Sequence, residues 1–214
     1  MSLKEQLEQA KSGFIARVPV DAQTQIFRHI AEQLQEGRVN GLQVGDTAPN
    51  FDLINPLGEL ITLYDELAKG PVVLTFYRGS WCPFCNIQLR AYQEILPDIH
   101  ELGAQLLAIS PQSPDNSLTQ KEKEQLTFQV LSDPDGLVAD RYQLMFEMPD
   151  YLQHTFKHFL GRDLAVFNET DRWILPIPGI FLLDRERVVR YAHVSPDFMT
   201  RLEPQELISQ LKKL

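Results

Sequence analysis

The segment Thr75–Tyr92, TFYRGSWCPFCNIQLRAY, carries both cysteines of this 214-residue chain, and its reading decides the fold. Pro71-Val72-Val73-Leu74 runs into Thr75-Phe76-Tyr77 as a short apolar stretch rich in β-branched and aromatic residues, which suits a strand buried on both faces of a sheet. Beyond the cysteines, Ile87, Leu89, Tyr92, Ile95, Leu96 and Ile99 recur at three- and four-residue spacing, as the buried face of an amphipathic helix does. Arg78-Gly79-Ser80-Trp81 is then the turn between strand and helix. Cys82 falls at an exposed helix N-terminus, and Pro83 takes the first helical position, where its missing N–H leaves nothing unpaired. Free backbone N–H groups and the positive end of the helix dipole favour an anionic sulfur there. Cys85, one turn further on, can reach back to close a disulfide, so the Cys-x-x-Cys is built to alternate between dithiol and disulfide. The competing readings are weaker. A zinc site wants four ligands and the chain has no second Cys or His pair at finger spacing. A permanent disulfide across so short a loop adds little stability. Two inert buried thiols would also satisfy packing.

Outside this stretch the chain is acidic, with a net charge of −9 and a pI near 5.0. No basic run is present to neutralise phosphates, so nucleic acid is not an expected partner. No stretch approaches the ~18 apolar residues of a membrane span, and the opening MSLKEQLEQAKSGF has charges where a secretory leader needs an apolar core. A cytoplasmic protein with no membrane association is expected. Two cysteines spaced for chemistry rather than stapling fit a reducing compartment.

Residues 1–43 read as a helical extension and 44–214 as the main domain. In the extension, Leu3, Leu7, Ala10 and Phe14 share one helical face, Val18-Pro19 breaks the pattern, and Ile26, Phe27, Ile30 and Leu34 share a second. Those apolar stripes need a cover, either the domain itself or a second copy in a homodimer. Asn40-Gly41 and Gly45-Asp46 mark the linker. A hairpin is predicted from Pro49–Ile54 and Leu60–Leu63, and a short helix over Tyr64–Ala68. Further strands are expected at 104–109, 128–131 and 177–184. Helices are expected at 115–126 and 137–143, with a hairpin partner at 187–192 and a closing helix at 204–213. Pro97 should kink or end the cysteine-bearing helix. Strands alternating with helices predict an α/β fold, with chemistry at the C-terminal ends of the strands, where Cys82 falls. A helical insert is expected near 147–173. It carries His154 and His158 four residues apart, a metal-capable spacing that lacks a further ligand.

From about Val44 to Val194 the chain resembles peroxiredoxins of the alkyl hydroperoxide reductase/thiol-specific antioxidant family, within the thioredoxin-fold superfamily. TFYRGSWCPFCNIQLRAYQ, GAQLLAIS, VLSDPDGLVADRY and PGIFLLDRERVVRY carry the resemblance, in the family's order. It implies a central mixed β-sheet with helices on both faces. The family's Pro-x-x-x-Thr-x-x-Cys, aligned with its peroxidatic cysteine on Cys85, puts Cys82 in place of the Thr and Arg78 in place of the Pro. The family's second activating residue, an arginine before the Gly-x-Phe-x-x-Asp strand, falls on Pro178. A proline there resembles the cis-proline that faces the active-site disulfide of thioredoxins and glutaredoxins, and Cys82-Pro83-Phe84-Cys85 is close to the glutaredoxin motif. Arg78 and Ser80 are the nearby substitutes for the lost peroxide-binding donors, each such donor being worth roughly 3 kcal/mol of barrier. Thr75 stands where thioredoxins keep a buried acid.

These readings imply a thiol-based oxidoreductase cycling through a Cys82–Cys85 disulfide, with hydroperoxide or disulfide as substrate and a thioredoxin- or glutathione-type reductant. Thioredoxin logic makes Cys82 the attacking sulfur and the peroxiredoxin alignment makes it Cys85. Pro178 is expected to position the substrate, Trp81 and Phe84 to form an apolar rim, and Arg78 to lower a thiol pKa. The alternative is a redox-responsive binding protein that uses the cysteines as a switch. No cofactor is expected, because no glycine-rich phosphate loop is present.

Overall fold

The structure is a computed structural model that describes residues 1–37 and 41–214; Asn40 of the expected linker lies outside the described residues. Two helices come first, α1 (Leu3–Arg17) and α2 (Val20–Glu36). Ser2 and Glu5 close a capping box on α1, satisfying two otherwise free N–H groups, and Pro19 separates the helices. The predicted hairpin is β1 (Asp52–Ile54) and β2 (Leu60–Thr62), followed by α3 (Leu63–Lys69).

The central run is β3 (Val72–Phe76), and the cysteine-bearing helix is α4 (Pro83–Glu94). Pro97 sits in the first turn of a separate short helix, α5 (Leu96–Glu101), where a proline is tolerated. Then come β4 (Gln105–Ser110), α6 (Pro114–Lys123), β5 (Gln129–Ser132) and α7 (Leu137–Arg141). The insert is α8 (Asp150–His158) and α9 (Leu164–Asn168), bracketed by β6 (Met145–Glu147) and β7 (Ile174–Pro176). Those two strands pair antiparallel as a small separate sheet. Sequence periodicity missed this clip because three-residue strands are too short to show alternation. The chain closes with β8 (Gly179–Leu183), β9 (Val189–Val194) and α10 (Pro204–Leu211).

Seven strands form one mixed sheet in the order β2-β1-β5-β4-β3-β8-β9. β3 and β4, and β4 and β5, run parallel, whereas β8 pairs antiparallel with β3. The central strands are buried on both faces, and alternation divides their side chains between two cores. Val73, Ala108, Val130, Ile180 and Leu182 face the layer that holds Leu7, Ile26, Leu89, Phe156 and Leu207, contributed by α1, α2, α4, α8 and α10. Val72, Leu74, Phe76, Leu107 and Phe181 face the other layer, with Leu63, Leu67, Val138 and Tyr142. The mixed sheet covered on both faces agrees with the expected α/β thioredoxin-like fold. Among the described residues no helix is long and apolar enough to cross a membrane.

Gly70 sets how β3 starts. A Cβ there would lie 1.9 Å from the Gly103 carbonyl oxygen, a backbone atom that has nowhere to go. Gly70→Ala is therefore expected to destabilise the fold by about 3 kcal/mol, the upper range for overpacking. Urea unfolding measures this, and an unchanged midpoint would show that the two segments do not meet.

Candidate active site

Residues 77–82 are held by a closed ring of amides. Ser80 N–H donates to Gln112 Oε1 at 2.6 Å, and Gln112 Nε2 donates to Gln120 Oε1 at 3.0 Å. Gln120 Nε2 donates to Asn86 Oδ1 at 2.8 Å, and Asn86 Nδ2 returns to the Ser80 carbonyl at 2.8 Å. The Tyr77 hydroxyl joins at Gln120 Oε1, 3.0 Å away. Gln112 and Gln120 are buried, so each bond exchanges little with water and the turn is rigid. Gly79 is needed within it. Its φ is +140°, and a Cβ would stand 2.6 Å from Trp81 Nε1.

Cys82 is the N-cap of α4 and Pro83 its first residue, as the spacing predicts. The expected exposure of Cys82 is not found. It is 1% accessible, Cys85 is 0%, and both are free thiols. Around it Trp81 packs on Phe156 and Arg78 on Phe198, and these rings line the same groove as Cys82; Phe156 comes from the α8 segment and Phe198 from the loop after β9, which local sequence around the cysteines does not reveal.

The two sulfurs sit in different fields. Burial raises both thiols, and for Cys82 the adjoining Cys85 sulfur raises it further, so Cys82 keeps its proton. At Cys85 burial is outweighed. A hydrogen bond from Cys82, the charges of Arg201 and Arg78, and the Arg78 backbone N–H together pull this thiol below its ordinary value. The surroundings therefore favour the anionic form at Cys85 and the protonated form at Cys82.

Arg78 is 5% exposed, not a solvated surface charge. Its guanidinium lies 3.8 Å from the Phe198 ring centroid, 4.8 Å from that of Trp81 and 5.6 Å from that of Phe156. Such contacts are worth about 2 kcal/mol when desolvated. Burial pulls its pKa below the ordinary value, whereas the cysteines support its charge. No carboxylate pairs with it among the described residues.

A second arginine, not expected from sequence, completes the site. Arg201 Nη2 lies 3.4 Å from Cys85 Sγ. Its Nε donates to Gln88 Oε1 at 2.6 Å, and its Nη1 donates to the carbonyls of Phe198 and Thr200. Gln88 in turn donates to Thr75 Oγ1 at 3.4 Å, so the position where thioredoxins keep an acid here supports an amide. Only a charged residue shortly before the closing helix hinted at Arg201, and nothing local marked it as facing the sulfur. Arg78 and Ser80 are therefore not the sole substitutes near the cysteines, and it is the Ser80 backbone that the amide ring engages.

Phe84 is buried, stacks edge-on to Phe198 at 5.7 Å, and shares with Trp81 a groove of about 910 Å³ that reaches Cys82. α1, α4 and the α8 segment wall this groove through Phe14, Ile87, Phe159 and Leu160. Pro178 is buried beside a separate cavity of about 20 Å³ that Arg78, Phe156 and Phe198 also bound, room for about one water. Its peptide bond is trans, as are all others among the described residues, so the cis-proline of the resemblance does not carry over. His154 and His158 are exposed, with ring centroids 4.3 Å apart, and no group of three or more metal-binding side chains occurs among the described residues.

A mixed sheet ending in a buried dithiol at a helix N-terminus defines the chain as a thiol-dependent oxidoreductase of the thioredoxin-fold class. The sequence model of the AhpC/TSA family matches residues 44–192, more than half of the chain, and the protein belongs to that family. Peroxiredoxin Bcp of Escherichia coli K12 is 27% identical over 175 residues, spanning 82% of this chain and 99% of that protein. The crystal structure of peroxidoxin BcpB from Mycobacterium tuberculosis superposes with a TM-score of 0.63 at 21% identity, covering 81% of this chain and 98% of that one. PrxQ of Xylella fastidiosa gives 0.63 at 19% identity, over 80% and 96% of the two chains.

Because Cys85 is depressed in the folded state, its contribution to stability is complete above the ordinary thiol pKa of about 8.5 and is lost as pH falls through the folded value. Cys82→Ser keeps a donor beside Cys85 and should retain thiolate absorbance near 240 nm at pH 7, with stability declining on acidification. Cys85→Ser should lack that absorbance at pH 7. Thiolate signal retained in Cys85→Ser and lost in Cys82→Ser would reverse the assignment.

Proposed function

We propose that the chain is a thiol peroxidase in which Cys85 attacks a hydroperoxide and Cys82 resolves the product. The observation that carries this reading is the asymmetry of the two thiols: the wholly buried Cys85 Sγ receives a guanidinium N–H at 3.4 Å, while Cys82 retains its proton. A buried thiolate suits a small oxidant that can penetrate the aromatic cover. Cys85 sulfur takes the terminal peroxide oxygen as the O–O bond breaks, giving a sulfenic acid and an alkoxide that becomes ROH on taking a proton from solvent. The Cys82 sulfur then displaces the sulfenic oxygen as water, and the Cys82–Cys85 disulfide closes within one helical turn.

Reduction begins at Cys82. That sulfur, and not Cys85, borders the groove, so a reductant thiolate would attack it and expel Cys85. A thioredoxin- or glutathione-type thiol would supply the electrons. Arg78 adds its charge and its backbone N–H to the field at the anionic sulfur, Trp81 and Phe84 line the approach to Cys82, and Pro178 bounds the small cavity beside Arg78. A soluble cytoplasmic setting, in which such reductants are present, accords with this cycle.

Rapid mixing of the reduced protein with one equivalent of hydrogen peroxide, followed by tryptophan fluorescence, tests the reading. Oxidation should exceed that of free cysteine by about 10²-fold or more, as a preorganised donor set supplies. It should vanish in Cys85→Ser and persist in Cys82→Ser, which stops at a dimedone-reactive sulfenic acid. A rate no better than free cysteine would sink the peroxidase reading and leave disulfide exchange through Cys82.

A further inference from the structure

The position at which the family resemblance places an activating arginine is occupied by Pro178, which has no charge and no N–H. The family match ends at residue 192, nine residues before the guanidinium that does reach the sulfur. We propose that Arg201 is the catalytic arginine of this chain, a replacement delivered from the segment between β9 and α10.

The geometry is that of a prepared donor. Three of its contacts fix the guanidinium: Gln88 Oε1 at 2.6 Å, the Thr200 carbonyl at 2.6 Å and the Phe198 carbonyl. The fourth direction, Nη2, is left for Cys85 Sγ. The loop itself is pinned. Tyr92 of α4 donates its hydroxyl to the Leu202 carbonyl at 2.9 Å, one residue from Arg201 and two turns beyond Cys85 on the same helix. Asp197 organises the preceding turn through Met199 N–H at 3.0 Å and Thr200 Oγ1. Helix and loop therefore present sulfur and guanidinium to each other in fixed register.

No carboxylate salt-bridges Arg201 among the described residues. The charged or titratable groups that feel its charge are Arg78, Cys82, Cys85, Tyr92 and His193; burial raises the Tyr92 hydroxyl against the pull of Arg201, and burial together with Arg201 holds His193 below its ordinary pKa. The thiolate is the anion available to it. A planar guanidinium offers several parallel N–H groups, so the same side chain that holds Cys85 can meet the oxygen whose charge grows as the O–O bond breaks. The electrons move from Cys85 sulfur to the peroxide, and the arginine exchanges no proton.

The role toward the leaving oxygen rests on the peroxidase reading, whereas the role toward the thiolate does not. The test separates them by placing Arg201→Gln and Arg201→Lys in the Cys82→Ser background, with folding followed by circular dichroism. Thiolate titration at 240 nm should move toward the ordinary thiol value by about one pKa unit or more in Arg201→Gln and by less in Arg201→Lys. Peroxide oxidation should slow by about 10²-fold in Arg201→Gln. At a pH high enough to ionise Cys85 fully, part of that loss should remain, the share owed to the oxygen. In the two-cysteine protein, Arg201→Gln should also make the disulfide harder to reduce by a glutathione redox buffer. A folded Arg201→Gln with an unmoved thiol titration and an unmoved rate overturns the proposal. If the parent protein is no faster than free cysteine, the peroxidase reading fails while the titration still decides whether Arg201 ionises Cys85. Should Arg201→Gln not fold, Arg201→Lys decides: a wild-type titration and rate there would also overturn it.

Discussion

Charge balance at Cys85 is the constraint around which this site is built. Arg78 is almost wholly enclosed by aromatic rings and has no carboxylate partner among the described residues. A buried cation without a counter-charge costs several kcal/mol, and cation–π contacts recover only part of that. The Cys85 sulfur, once ionised, supplies the missing charge, and Arg201 approaches it from another element. In the proposed site an ionised Cys85 and the arginines stabilise one another, so that the reactive form of the thiol is also the electrostatically favoured one.

Holding that arrangement takes residues far apart in sequence. β3 leads into the turn, the Gln112–Gln120–Asn86 ring fixes its backbone, and Gly79 lets Trp81 fold in against it. Phe156 from α8 and Phe198 from the loop after β9 then close over Arg78. The insert is therefore part of the site's wall as well as an appendage to the sheet. The small antiparallel pairing of β6 with β7 brings the two ends of that insert together, which fixes where Phe156 can reach.

Much of this was legible in the sequence because it is local. The β3–turn–α4 unit announces itself through a β-branched run, a glycine-containing turn and Pro83 after Cys82, and the order of strands and helices follows from periodicity. What sequence reading missed depends on tertiary packing. The groove that Cys82 borders is lined by Phe156 and Phe198, aromatic residues 74 and 116 positions further along the chain. Arg201 lies in an irregular loop whose composition resembles any polar connection, and its meaning comes from Tyr92 and Gln88 on α4. Pro178, by contrast, was conspicuous in sequence for a cis geometry that the backbone does not adopt.

The unequal thiols also give the proposed cycle a direction. In thiol–disulfide exchange the sulfur with the lower pKa leaves faster, and a disulfide is the more oxidising the more its reduced form is stabilised. Both statements point to Cys85 as the leaving sulfur, since the guanidiniums that favour its ionisation favour its departure. Attack must then fall on Cys82, and Cys82 is the sulfur that borders the wide groove between α1, α4 and α8. In the proposed cycle a small oxidant meets the buried thiolate and a bulkier reductant the sulfur at the groove, so that neither half-reaction needs the other's approach. The proposed cycle thereby runs a Cys-x-x-Cys of thioredoxin-like appearance in the opposite sense, with the second cysteine as the nucleophile and the first as the point of attack.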